Sequence, residues 1–139
     1  EGHEIASHAF HHKSLTGKSY PEILMEMKRA DAAIISFQKP GDCAPLLRPP
    51  YGDISIGLLI WAIRYRRRIA LWSRDPEDFH ADNSQALLDN FRKNPVTAGD
   101  IVLLHDQSSV TVELLKALLP QLRDAGFAMV TVTDLLEKR

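Results

Sequence analysis

The chain has 139 residues, 45% of them apolar and 25% charged, with 17 basic side chains against 18 acidic ones and a formal net charge of -1. That length supports one domain with a real core, so one compact unit is expected, but it is short for a closed eight-stranded barrel. The balanced charge argues against nucleic acid as a partner, no apolar run approaches the roughly 20 residues of a membrane span, and the single cysteine, Cys43, excludes an internal disulfide.

Glu1 to Ser7 reads as a short buried strand, and the histidine-rich stretch Ser7-His8-Ala9-Phe10-His11-His12 occupies its C-terminal end and the following loop. His8 and His12 stand four apart, so on a helical turn or tight loop their imidazoles can converge on one cation. His8 and His11, three apart, would also share a helical face, and spacing alone leaves the second ligand open. The same histidines would otherwise serve as hydrogen-bonded core residues or a solvated turn.

Ser19-Tyr20-Pro21-Glu22 predicts a helix start with a capping box, and Ile23, Met27, Ala30 and Ile34 recur at helical spacing to about Phe37. Pro40-Gly41-Asp42 ends that helix, and Met25 and Met27 read as packing residues. A second short strand, Ala44 to Arg48, runs into the rigid turn Pro49-Pro50-Tyr51-Gly52, which leaves Arg48 as an oriented charge at a strand end. Ser55 to Tyr65 is apolar on most faces and predicts a buried helix, while Arg64 to Arg68 reads as a solvated basic helix end. Ile69 to Trp72 is the next strand. It delivers Asp75-Pro76-Glu77-Asp78-Phe79, two aspartates flanked by the aromatic Trp72 and Phe79.

Asp82 with Gln85 predicts a capped helix to about Lys93, and Ile101 to Leu104 is a continuous apolar run of the central-strand kind, ending in His105-Asp106. Ser109 starts a leucine-faced helix that Gly126 closes, followed by a strand from Phe127 to Val132 and a short helix from Thr133 to Lys138. Alternating strands and helices with short connections predict an α/β protein built of repeated βα units.

With these residues in order, the chain closely resembles the polysaccharide deacetylase family, the NodB-homology domain of carbohydrate esterase family four, along essentially its whole length. Gly2-His3-Glu4-Ile5 leading into His8 and His12 looks like the family's second motif, which implies a divalent metal, usually zinc, and favours His12 over His11. Arg48-Pro49-Pro50-Tyr51-Gly52 resembles the third motif, in which the Arg orients the catalytic base and the Tyr N–H holds the oxyanion. Asp75 to Phe79 resembles the fourth, implying that Asp75 orients the catalytic His and that Phe79, where Trp is usual, walls the sugar groove. Leu103-Leu104-His105-Asp106 resembles the fifth, with His105 as general acid and Leu103 lining the acetyl-methyl pocket.

The resemblance implies hydrolysis of acetyl groups on N-acetylated polysaccharide or oligosaccharide, outside the cytoplasm. It also implies a distorted (β/α) barrel. The family's first motif, an Asp pair supplying the general base and a third metal ligand, has no match, since no Asp-Asp occurs in the chain. The expected fold is therefore an incomplete barrel across 1–139, lacking two βα units of about 30 residues each. An unpaired strand edge would then favour self-association. The alternative function is a catalytically inactive glycan-binding or structural remnant.

Overall fold

Three extended segments run parallel near the start of the chain. Ser7 pairs with Leu47 of β1 (Leu46–Leu47), and β1 pairs with β2 (Arg68–Ile69) in the register Leu46 to Arg68 and Leu47 to Ile69. The Ser7 N–H donates to the Leu46 carbonyl at 3.2 Å, while the Ala70 N–H donates to the Leu47 carbonyl at 2.8 Å. Successive carbonyls of an extended chain point opposite ways, so Ser7 and β2 flank β1 on its two edges. The computed structural model describes residues 3–35 and 45–137. Within them the strands are shorter than expected: Pro45 and Pro49, which have no N–H to donate, bracket β1.

Helix α1 (Tyr20–Ile35) buries Ile23, Met27 and Ala30 of the predicted stripe, while Ile34 is half-buried. Glu22 reaches back to the Ser19 N–H at 2.8 Å and also takes the Ser19 hydroxyl at 2.7 Å, so the reciprocal half of the capping box is missing. Phe37, the Pro40-Gly41-Asp42 turn, Cys43 and Ala44 lie outside the described residues. Helix α2 (Ile56–Arg64) is capped by the Ser55 hydroxyl, which accepts the Leu58 N–H at 3.2 Å. The expectation of a buried helix fails here. Only Leu58, Trp61 and Ala62 are buried, against α1, while Ile56 is 78% and Ile63 80% exposed.

Chain contacts divide the molecule into two compact units. The first is Glu1–Leu71 with Thr131–Thr133 and the second Trp72–Val130 with Asp134–Arg139. Each has its own apolar core. Leu15, Ile23, Met27, Leu47, Leu58, Trp61 and Ala62 fill the first. In the second, Leu87, Leu88 and Phe91 of α3 (Ser84–Lys93) pack on Leu114 and Leu118 of α4 (Ser109–Asp124).

The cap of α3 is Asn83 rather than Asp82: its side chain accepts the Ala86 N–H at 2.9 Å, and Gln85 instead bonds Asp89. Gly126, at φ 85, closes α4 as expected, a left-handed position that glycine adopts without strain. Among the described residues the Ile101 to Leu104 run pairs through Val102, beside Arg74 in parallel. Residues 127–131, expected as a strand, do not form one, and α5 (Val132–Glu137) follows. Short parallel pairings between helices make this an α/β chain. No helix among the described residues is long and apolar enough to cross a membrane.

Candidate active site

Parallel pairing of Ser7 with Leu47 sets their successors, His8 and Arg48, side by side at the strand ends. The Arg48 carbonyl, which can only accept, takes the His8 Nδ1–H at 2.5 Å. That bond fixes the tautomer and turns the lone pair of Nε2 outward. The loop then brings the His12 Nε2 to 3.1 Å from the His8 Nε2, with the two rings edge to face. Nitrogens on a tetrahedral zinc at about 2.0–2.1 Å stand about 3.3–3.4 Å apart, so the pair fits as two ligands of one ion. His11 is turned elsewhere, its Nδ1–H donating to Glu26 at 2.6 Å. Among the described residues no group of three or more His, Cys, Asp or Glu gathers around a metal position, and those residues offer two nitrogens there.

The Pro-Pro turn supplies two further groups. Tyr51 sits at φ 60, a left-handed backbone that bulky residues adopt only when held, and its ring lies edge to face on His12 at 5.1 Å. The Tyr51 hydroxyl points at the His12 carbonyl at 3.4 Å, and Ser14 donates to Asp53 just beyond the turn. The Arg48 guanidinium is half-buried, and burial pulls its pKa below the ordinary value. No hydrogen-bond acceptor meets that side chain among the described residues.

The second unit holds the other predicted residues. His105 follows the Arg74–Val102 pairing, and a short 3-10 turn, Asp78–His80, brings a carboxylate against it. Asp78 Oδ1 accepts the His105 Nδ1–H at 2.8 Å, and Oδ2 accepts both the His105 N–H at 2.8 Å and the Thr111 hydroxyl at 2.7 Å. Asp78 is 1% exposed. Burial pushes its carboxyl upward, but the bonds from the His105 ring and backbone and from Thr111 outweigh it and hold the group below the ordinary 3.8. The Phe79 ring stands edge to face on His105 at 5.1 Å and remains 49% exposed, and Leu103 is buried.

Asp75, the aspartate expected to orient this histidine, bonds elsewhere. Its Oδ1 accepts the Glu77 N–H at 2.9 Å and thereby supports the left-handed Glu77, at φ 56, which turns the chain so that Asp78 points inward. Both aspartates stood out in the sequence, but which one is buried depends on that turn. Thr111 and Glu26 were missed entirely. Each reads as an ordinary helix residue, and no sequence signal marks the group it bonds.

The profile of the polysaccharide deacetylase family matches residues 1–62. The peptidoglycan-N-acetylmuramic acid deacetylase PdaC of Bacillus subtilis is 32% identical over 139 residues, 99% of this chain and 28% of its own length. The solved structure of PdaC matches with a TM-score of 0.81 and 30% identity, over 94% of this chain and 61% of that one. The chain belongs to the polysaccharide deacetylase family. A peptidoglycan-N-acetylglucosamine deacetylase of Bacillus cereus is 33% identical across 98% of this chain. The chain thus spans 28% of the first relative's length and 64% of this one's. The deacetylase fold is shared as well by a carbohydrate esterase family four pseudoenzyme of Bacillus anthracis, with a TM-score of 0.83 at 22% identity over 93% of this chain and 44% of that one.

Proposed function

We propose that the protein is a metal-dependent hydrolase that removes acetyl groups from N-acetylated sugars of an extracellular polysaccharide, working as part of a distorted (β/α) barrel. The observation that carries this reading is the pair of facing Nε2 atoms of His8 and His12, 3.1 Å apart and preset by the Arg48 carbonyl. The naming of relatives as peptidoglycan deacetylases supports the substrate class. His8 and His12 would hold the ion, zinc by its preference for imidazole nitrogen. When bound, it supplies Lewis acidity toward the acetyl carbonyl and toward water.

The remaining roles belong to the chain's own groups. The Tyr51 N–H, presented by the left-handed turn, stabilises the oxyanion that forms as water adds to the acetyl carbon. His105, oriented by Asp78 through Nδ1–H and carrying a second proton on Nε2, gives that Nε2 proton to the departing nitrogen, so the C–N bond breaks to acetate and a free amino sugar. Leu103 packs against the acetyl methyl and Phe79 flanks the sugar. The Arg48 guanidinium, half-buried without an acceptor among the described residues, suits a carboxylate partner acting as general base.

A second reading, a glycan-binding member without turnover, is favoured by the lack of a third metal ligand among the described residues. Acetate release from an N-acetylglucosamine oligomer, with added zinc and with a chelator, separates the two. Chelator-sensitive release that His105→Ala abolishes supports the hydrolase. Retention of the oligomer with no release supports the binding reading.

A further inference from the structure

The loop carrying His8 and His12 takes a conformation that its own residues disfavour. Ala9 at φ 62 and His12 at φ 51 both lie in the left-handed region, which residues other than glycine occupy when their surroundings impose it. Glu26 of α1 faces this loop. Its Oε2 accepts the His11 N–H at 3.0 Å and its Oε1 the His11 Nδ1–H at 2.6 Å, a two-point grip on the residue between the strained Ala9 and the ligand His12. The grip is rigid at its base, because the adjacent Met27 and the preceding Ile23 of the same helix are buried in the core. It is also charge-assisted: burial pushes the Glu26 carboxyl upward, but the bonds from the His11 ring and backbone outweigh it, leaving it below the ordinary 4.5.

Two consequences follow from this geometry. Engaged by Glu26, the His11 ring faces α1, so the His that follows, not His11 itself, turns to His8. The path of the chain through His11 also sets where the His12 backbone starts, and with it the direction of its imidazole. We propose that Glu26 is a positioning residue for the metal pair, which locks the His8 to His12 loop in its strained form without touching the ion. The metal part of this inference rests on the reading of His8 and His12 as ligands.

The test combines two readouts on the full chain, Co2+ titration followed by its visible absorption and amide hydrogen exchange across residues 9–14. For Glu26→Ala, exchange in that segment should accelerate and Co2+ affinity should fall about 10–100-fold, the usual loss when a group supporting a ligand is removed. Glu26→Gln keeps the size and one acceptor and should fall between Ala and the parent, which keeps the question open to measurement should the Ala variant fold poorly. Glu113→Ala, on exposed surface of α4, should match the parent in both. Parental exchange and parental Co2+ affinity in Glu26→Ala would overturn the proposal. Faster exchange in Glu26→Ala, in a protein whose parent takes up no Co2+, would uphold the lock and overturn the metal reading instead.

Discussion

Asp78 and His105 are joined twice, 27 residues apart in sequence: one carboxylate oxygen takes the imidazole N–H and the other takes the backbone N–H of the same residue. The double contact fixes both the ring's tautomer and the position of its backbone, leaving Nε2 as the nitrogen that faces a substrate.

Replacement of Asp78 should therefore be costly to turnover while replacement of Asp75 is not. Asp78→Asn is expected to lower acetate release by about 10²–10⁴-fold, the span of general acid–base catalysis. Asp75→Asn, which alters only a turn contact to Glu77, should stay within a few-fold of the parent. Steady-state release from an N-acetylglucosamine oligomer reads both, and the opposite ranking would return the orienting role to Asp75.

The same carboxylate ties stability to pH. Its folded pKa lies below the ordinary 3.8, so the ionised form favours the fold. Its contribution is complete above about pH 4, where the unfolded group is also ionised, and is lost as pH falls through the lower folded value. Thr111→Val removes a donor to that charge, and should cost about 1.5–3 kcal/mol at pH 7 by chemical denaturation. The difference from the parent should shrink as pH falls below the ordinary 3.8 and through the lower folded value.

Among the histidines, His8→Ala and His12→Ala should each abolish Co2+ uptake, since each removes one of two facing nitrogens. His11→Ala should weaken uptake without abolishing it, because the His11 N–H still reaches Glu26. Absorption titration measures all three, and loss of binding in His11→Ala equal to that in His12→Ala would undo the assignment of His12.

Tyr51 is held at φ 60. A β-branched residue resists that backbone more strongly, so Tyr51→Val should destabilise the protein by about 1–3 kcal/mol in a thermal melt. Tyr51→Phe, which loses only the 3.4 Å contact to the His12 carbonyl, should melt close to the parent.

Much of this arrangement is legible in the sequence because it depends on neighbours along the chain. The stripe of Ile23, Met27 and Ala30, the Ser55 turn into α2, the glycine that ends α4, and the location of His8, Arg48 and His105 at the ends of extended runs all follow from local spacing and turn chemistry. Strand lengths were overread, since an apolar run pairs only where another extended segment lies beside it. Residues 127–131 are apolar in part yet form no strand. Burial of α2 was overread for a related reason: composition says that Ile56 and Ile63 are apolar, not that anything packs on them.

The choice between similar candidates was left to the tertiary structure. Asp75 and Asp78 are the same side chain three residues apart, and only the left-handed Glu77 between them decides which is buried against His105. His11 and His12 are adjacent, yet in the fold His11 bonds Glu26 of α1 while His12 faces His8. The sequence by itself determined the kinds of group present and the strand ends that carry them, because spacing along a chain is local. Which of two equal groups meets its partner was decided by the fold, because a hydrogen bond needs both atoms within about 3 Å and segments far apart in sequence must first be packed together.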